Sequence, residues 1–87
     1  MATVIANHRV SDYNAWKPGY LADLARRASA GITDIAVGES ADDPGMAYMI
    51  WDVKDVSVLE PMFTDPALQQ MLKEAGVISQ PEMMILE

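Results

Sequence analysis

Two neighbouring residues near the start of the chain, Asn7 and His8, have side chains that could do chemistry on a small molecule. His8 is the only histidine, and its ordinary pKa suits it to proton transfer near neutral pH. Asn7 carries a donor and an acceptor, so its amide could hold a phenol or carbonyl oxygen. A structural interpretation stands beside this one, in which His8 hydrogen-bonds to Asp12 or to a backbone carbonyl and Asn7 satisfies backbone at a strand edge.

Aromatic residues that could surround a flat ligand follow in two parts of the chain. The candidates for such a wall are Tyr13, Trp16, Tyr20, Tyr48 and Trp51. Tyr13 is close enough in sequence to His8 to orient it. Aromatic side chains at helical or strand spacing more often belong to a hydrophobic core, and core packing is the alternative for each of them.

The sequence contains no pattern typical of a metal or cofactor site. It has no cysteine and a single histidine, and one histidine does not make a convincing metal centre. Glycine-rich phosphate loops and nucleophile elbows are also absent. We therefore predict a protein that uses neither a metal nor another cofactor.

The hydrophobic pattern predicts the elements that must position these residues. Alternating and β-branched stretches indicate strands, and apolar positions about four apart indicate helices. The predicted strands cover 3–10, 32–39, 46–53 and 82–87. The predicted helices run from about 15–18 to 29, from Asp55 through Phe63 with a bend or break at Pro61, and from Asp65-Pro66 to Gly76. The order βαββαβ is typical of an α+β, ferredoxin-like fold, in which two helices cover one face of a four-stranded antiparallel sheet.

The first helix has an apolar stripe that predicts how it packs. Its apolar residues recur at every fourth position, at Trp16, Tyr20, Leu24 and Ala28. The charged residues of the same segment fall largely on the other side: Asp23, Arg26 and Arg27. We therefore expect the stripe to pack on the sheet and the charged residues to face solvent.

Strands three and four are apolar on both faces, and two helices can cover only one face. Apolar residues make up 51% of the 87 residues, which is high for so small a domain. A monomer of this size hides only about 60% of the surface that its unfolded chain exposes. The second face most simply packs on the same face of another copy. We predict a single domain over 1–87 that forms a homodimer.

The charge and the N-terminal sequence argue against several partners and locations. Thirteen acidic and six basic residues give a formal charge of -7, which repels nucleic acid and anionic membranes. The N-terminus lacks a signal-peptide pattern, and no apolar run approaches the ~18 residues of a membrane span. We expect a cytoplasmic protein that binds neither nucleic acid nor membrane.

Three segments of the sequence resemble a known superfamily. They are the pattern His-x-Val-x-Asp-Tyr-x-x-Trp-Lys from His8 to Lys17, the Ile50-Trp51-Asp52 triplet, and the Asp65-Pro66-Ala67-Leu68 segment. Together they resemble the dimeric α+β barrel superfamily of antibiotic biosynthesis monooxygenase-like proteins. The resemblance implies two sheets facing each other across a dimer, with a pocket between sheet and helices in each subunit.

Members of that superfamily oxidise polycyclic phenols without a cofactor, cleave haem, or have no known reaction. The haem-cleaving members combine an asparagine on strand one with a tryptophan and a histidine on the second helix. Asn7 fits the first position, but the second helical region has neither of the other residues. The resemblance therefore does not imply haem cleavage for this chain.

Two functions follow as hypotheses. The first is a cofactor-independent, monooxygenase-like enzyme for an aromatic or polyketide-like compound, with His8 as base and Asn7 as oxyanion donor. Strand alternation places these neighbours on opposite faces and counts against that pairing unless a bulge intervenes. The second is a non-catalytic module that binds a ligand or another protein.

Overall fold

A computed structural model describes residues 2–87 of the chain. The strands are β1 (Ala2–Arg9), β2 (Ile32–Glu39), β3 (Met46–Val53) and β4 (Glu82–Leu86). The helices are α1 (Tyr13–Ala22), α2 (Leu24–Ser29), α3 (Leu59–Thr64) and α4 (Pro66–Glu74), with a 3₁₀ turn at Val56–Val58 before α3. Within residues 2–87, no helix is both long and apolar enough to cross a membrane.

The four strands form one antiparallel sheet in the order β2-β3-β1-β4. This topology confirms the predicted ferredoxin-like α+β fold. Burial alternates along the whole of β1, where Val4, Ala6 and His8 are buried and Ile5 and Asn7 are only partly covered. The helices therefore cover one face of the sheet, which we call the helix face, and the other is the open face.

Capping residues lie at the starts of α1 and α4 and at the ends of α2 and α4, whereas α3 continues through Pro61, where the sequence predicted a bend or break. The Asp12 carboxylate accepts hydrogen bonds from two backbone N–H groups in the first turn of α1, and the Asp65 carboxylate accepts one from Ala67 at the start of α4. Gly31 and Gly76, which follow the last turns of α2 and α4, have φ values of +82° and +95°. Glycine adopts this left-handed conformation without a Cβ penalty, so both helices end where the sequence predicts.

The predicted first helix is interrupted, and the expectation for one of its charged residues is wrong. Asp23 leaves the helical conformation, with φ −94° and ψ 13°, and separates α1 from α2. The break rotates the second segment relative to the stripe that begins at Trp16. As a result Leu24 is half exposed, whereas Arg27, which the stripe places in solvent, is buried.

A second irregularity affects β2. The pairing of β2 with β3 shifts between Asp34 and Ala36, which leaves Ile35 unpaired and 57% exposed. A bulge of this kind redirects the side chains on either side of it. Asp34 lies on the helix face, opposite Trp51, where it meets the buried Arg27.

Candidate functional site

A cavity of about 300 Å³ lies between the helix face of the sheet and the helices. Side chains from β1, β3 and all four helices line it, and most of them are apolar. The lining includes Ala6 and His8 from β1, Met49 and Trp51 from β3, Trp16, Gly19 and Tyr20 from α1, Arg27 from α2, Phe63 from α3, and Leu72 from α4. Asp23 and Arg26, which form an ion pair with each other at the break between α1 and α2, also line it.

His8 is the titratable side chain on the floor of this cavity. It is 4% exposed, and its Nδ1 atom has no hydrogen-bond partner. The rings of His8 and Trp16 pack edge to face, with centroids 5.2 Å apart and planes at 87°. Burial lowers the pKa of His8, and a backbone hydrogen bond offsets this only in part. The imidazole is therefore neutral at pH 7 and can accept a proton.

Aromatic rings form the adjacent walls. Trp16 and Tyr20, one helical turn apart on α1, have ring centroids 4.9 Å apart. Trp51 on β3 stacks on Phe63 of α3, with centroids 6.2 Å apart and planes at 17°. These arrangements leave flat apolar surfaces, which suit a planar ligand.

A buried polar cluster holds the Tyr20 side chain in place. The Arg27 guanidinium donates to both oxygens of Asp34, at 3.0 and 2.6 Å, and to the backbone carbonyl of Tyr20 at 2.9 Å. The Tyr20 hydroxyl donates to Asp34 at 3.2 Å and accepts from the indole N–H of Trp51 at 2.8 Å. Five groups from α1, α2, β2 and β3 are thus fixed by one network.

The charge of this cluster is balanced within it. The side chain of Arg27 is 4% exposed and that of Asp34 is 20% exposed, so the pair is mostly removed from water. Arg27 also stands 3.8 Å from the centroid of the Tyr20 ring, a cation–π contact. Burial raises the pKa of Tyr20, so its hydroxyl keeps its proton at neutral pH.

The structure separates the predicted site residues into two groups. His8, Trp16, Tyr20 and Trp51 all line the cavity. Tyr13 packs against Trp16 at a centroid distance of 5.7 Å, behind the lining.

Asn7 and Tyr48 do not belong to this site. They pair with each other across β1 and β3 on the open face, and β1 pairs with both its neighbours without a register shift. With no bulge to turn it, Asn7 points away from His8. The predicted pairing of His8 as base with Asn7 as oxyanion donor is therefore wrong.

Several residues of the site escape the sequence analysis. Arg27 and Asp34 were missed because a helix break and a β-bulge bring them together, and neither feature has a clear signal in the sequence. Phe63 was assigned only to a helical segment. Among residues 2–87, no cluster of three or more histidine or acidic side chains is arranged to hold a metal ion.

Comparison with known proteins identifies structural relatives but no close sequence relatives. No protein-family model matches this sequence, and no curated protein matches it significantly. A candidate antibiotic biosynthesis monooxygenase from Deinococcus radiodurans superposes with a TM-score of 0.62 at 18% identity, covering 100% of this chain and 91% of its own.

Two further solved structures are similar over the whole chain. An uncharacterised NIPSNAP domain protein from Burkholderia xenovorans has a TM-score of 0.66 at 11% identity and is covered over 93% of its length. An antibiotic biosynthesis monooxygenase has a TM-score of 0.60 at 16% identity and is covered over 97%. Both cover 100% of this chain. This chain therefore has the fold of the antibiotic biosynthesis monooxygenase-like proteins.

Proposed function

We propose that the cavity binds a flat aromatic or polyketide-like compound and that the protein acts on it as a cofactor-independent, monooxygenase-like enzyme. The observation that carries the proposal is a cavity of about 300 Å³ with aromatic walls, lined by a buried histidine, His8, whose Nδ1 atom has no hydrogen-bond partner. Small-molecule sites are typically apolar concavities of about this size, with a few polar groups inside. Structural relatives named as monooxygenases add support at the level of the fold.

In the proposed reaction, His8 removes a proton from an acidic C–H or phenolic O–H group of the ligand. The resulting anion lies against the imidazolium in a water-poor cavity, where the attraction between the two charges is strong. Molecular oxygen then takes electrons from the anion. For a ring CH₂ group, the carbon gains one oxygen atom as C=O, and the second oxygen atom leaves as water with both hydrogens, so the ligand itself supplies all the electrons.

An oxygen electrode tests this proposal with anthrone, a tricyclic compound with an acidic CH₂ group, whose enol tautomer 9-anthrol carries a hydroxyl donor. Wild type should consume oxygen at a rate proportional to enzyme, and His8→Gln should lower kcat by about 10²- to 10⁴-fold, because general-base catalysis contributes that much. Asn7→Ala, on the same strand but the open face, is the matched control and should keep the wild-type rate. Equal rates in wild type and His8→Gln would contradict the proposal.

A second candidate is a non-catalytic ligand-binding module. One observation favours it: the Trp51 indole N–H and the buried Arg27 guanidinium are already engaged, and Asn7 lies on the other face, so none of the three stabilises an oxyanion in the cavity. Under this alternative, tricyclic compounds bind but cause no oxygen uptake above the rate without enzyme. Dialysis and the oxygen electrode together distinguish the two functions.

We further propose that two copies associate through the open face. Its centre is apolar, and the side chains there are partly or largely exposed: Ile5, Tyr48, Ile50, Met84 and Leu86. A self-complementary patch of this kind suits a two-fold dimer. Light scattering at micromolar concentration should give twice the 9.5 kDa chain mass, and a monomeric mass would contradict the proposal.

A further inference from the structure

The hydrogen-bond partners of the Tyr20 hydroxyl fix the direction in which its proton points. A phenol oxygen has one proton to donate and lone pairs to accept. Asp34 is a carboxylate paired with Arg27, so it can only accept, and the Tyr20 proton must point at it across 3.2 Å. The Trp51 indole can only donate, and its N–H uses one acceptor position of the Tyr20 oxygen at 2.8 Å.

One acceptor position of the Tyr20 oxygen remains without a protein partner. Tyr20 lines the cavity, so a ligand can reach this side chain. Because its proton is held by Asp34, the hydroxyl can accept a hydrogen bond from a ligand but cannot donate one. In the proposed function His8 also accepts a proton from the ligand. Tyr20 and His8 therefore both favour a ligand with a hydrogen to give, whereas the charged side chains of the lining, Asp23, Arg26 and Arg27, are paired with protein groups.

We infer that Tyr20, polarised by Asp34 and Trp51, makes the cavity selective for flat aromatic compounds that carry a hydroxyl donor and against the corresponding ketones or quinones. This inference rests on the proposed function, because it concerns the ligand of the same cavity. A carbonyl oxygen placed against the Tyr20 oxygen brings two lone pairs together and loses its hydrogen bonds to water without replacement. In an oxidation, this selectivity retains the hydroxylated substrate and releases the carbonyl product.

Equilibrium dialysis with a matched series of three tricyclic compounds tests the inference on the wild-type protein. 9-Fluorenol has a hydroxyl donor, 9-fluorenone has a carbonyl acceptor on the same carbon, and fluorene has no oxygen. We expect fluorenol to bind about three- to ten-fold more tightly than fluorenone, the ratio expected for one hydrogen bond made rather than lost. Fluorenone binding as tightly as fluorenol, or more tightly, would overturn the inference.

Two tyrosine-to-phenylalanine variants locate the selectivity. Tyr20→Phe removes the acceptor and frees the Trp51 indole N–H, which can then donate to a ligand carbonyl. The preference for fluorenol should therefore disappear or reverse in this variant. Tyr48→Phe is the same substitution on the open face and should leave the wild-type ratio unchanged. An unchanged ratio in Tyr20→Phe, with folding verified by circular dichroism, would also overturn the inference.

The same measurements separate failure of the inference from failure of the proposed function. If all three compounds bind with equal affinity, the cavity is a ligand site, and only the role of Tyr20 is wrong. If none binds to wild type, the proposed function fails and the selectivity fails with it. The wild-type comparison needs no variant, so a destabilised Tyr20→Phe does not prevent a decision.

Discussion

The two faces of the sheet are built from alternate residues of the same strands, yet they differ in what covers them. On the helix face, Val4, Ala6 and His8 are buried beneath the helices, and Ala6 and His8 line a cavity. On the open face, Ile5 and Asn7 from the same strand lie only partly covered among exposed apolar residues. His8, on the helix face, is therefore a candidate base, whereas its neighbour Asn7, on the open face, does not line the cavity.

The comparison shows that apolar composition alone does not identify a ligand site. Both faces are apolar, but in the described residues 2–87 the helix face borders the cavity and holds a polar network that joins four elements. The open face offers exposed apolar side chains, which suit association with another protein surface better than capture of a small molecule. Three comparisons can sharpen or break this distinction between the faces.

The largest effect is expected from a charge placed on the helix face. Val4→Asp buries a carboxylate at a position that is 0% exposed, and it should lower the free energy of unfolding by more than about 4 kcal/mol at any protein concentration. Ile5→Asp places the same carboxylate on the open face. Its effect should depend on protein concentration, because it acts on the proposed dimer rather than on the core. Urea denaturation at two protein concentrations measures both effects. If the two variants lost the same unfolding free energy at both concentrations, the distinction between the faces would be contradicted.

A smaller effect is expected from the buried ion pair on the helix face. Arg27→Met leaves the Asp34 carboxylate without its partner and should cost about 3 kcal/mol of unfolding free energy. Arg26→Met removes an ion pair whose arginine side chain is 41% exposed, and it should cost less than about 1 kcal/mol. The two urea midpoints measure the difference. Similar midpoints for the neighbouring arginines would show that the cluster around Tyr20 is not structurally important.

The smallest effect is a pH dependence that belongs to His8. Its pKa is lowered from 6.5 in the folded chain, so the unfolded chain binds a proton first as the pH falls. The contribution of His8 to stability is therefore complete above pH 6.5 and decreases below it, until the folded chain also binds the proton. The urea midpoint of wild type should fall more between pH 7.5 and pH 5 than that of His8→Gln.

Carboxylates with shifted pKa values do not obscure this measurement. Asp43 and Asp55 have pKa values lowered from 3.8, so their contributions change only at more acidic pH. Identical pH profiles for wild type and His8→Gln would show that the imidazole is not held neutral by burial.

Local signals in the sequence were sufficient to predict most of the fold. The bounds of β2 and β3 agree with the prediction because each strand lies between strong turn or cap residues, such as Gly31 before β2 and Pro44-Gly45 before β3. Strand alternation also indicated that Asn7 and His8 face opposite ways, and the unbroken register of β1 bears this out.

The parts of the site that escaped prediction depend on tertiary geometry. The helical period predicts that Arg27 faces solvent, but the break at Asp23 rotates the second helical segment and buries this side chain. Asp34 reads as a polar residue of an edge strand until the bulge beside it and its pairing with Arg27 are known. The polarity of the Tyr20 hydroxyl depends on Asp34 of β2 and Trp51 of β3, and on Arg27 of α2, which pairs with Asp34. The period of a single element does not reveal such a network.

The central claim, that the ligand site lies on the helix face, is tested most directly by filling the cavity. A Cβ placed on Gly19, which lines the cavity, or on Gly38, which lies opposite Tyr48 on the open face, meets no atom within 4 Å. Both glycines can therefore accept leucine in matched variants. Equilibrium dialysis with 9-fluorenol should show saturable binding to wild type and Gly38→Leu and none to Gly19→Leu. Undiminished binding to Gly19→Leu, or loss of binding only in Gly38→Leu, would contradict the account.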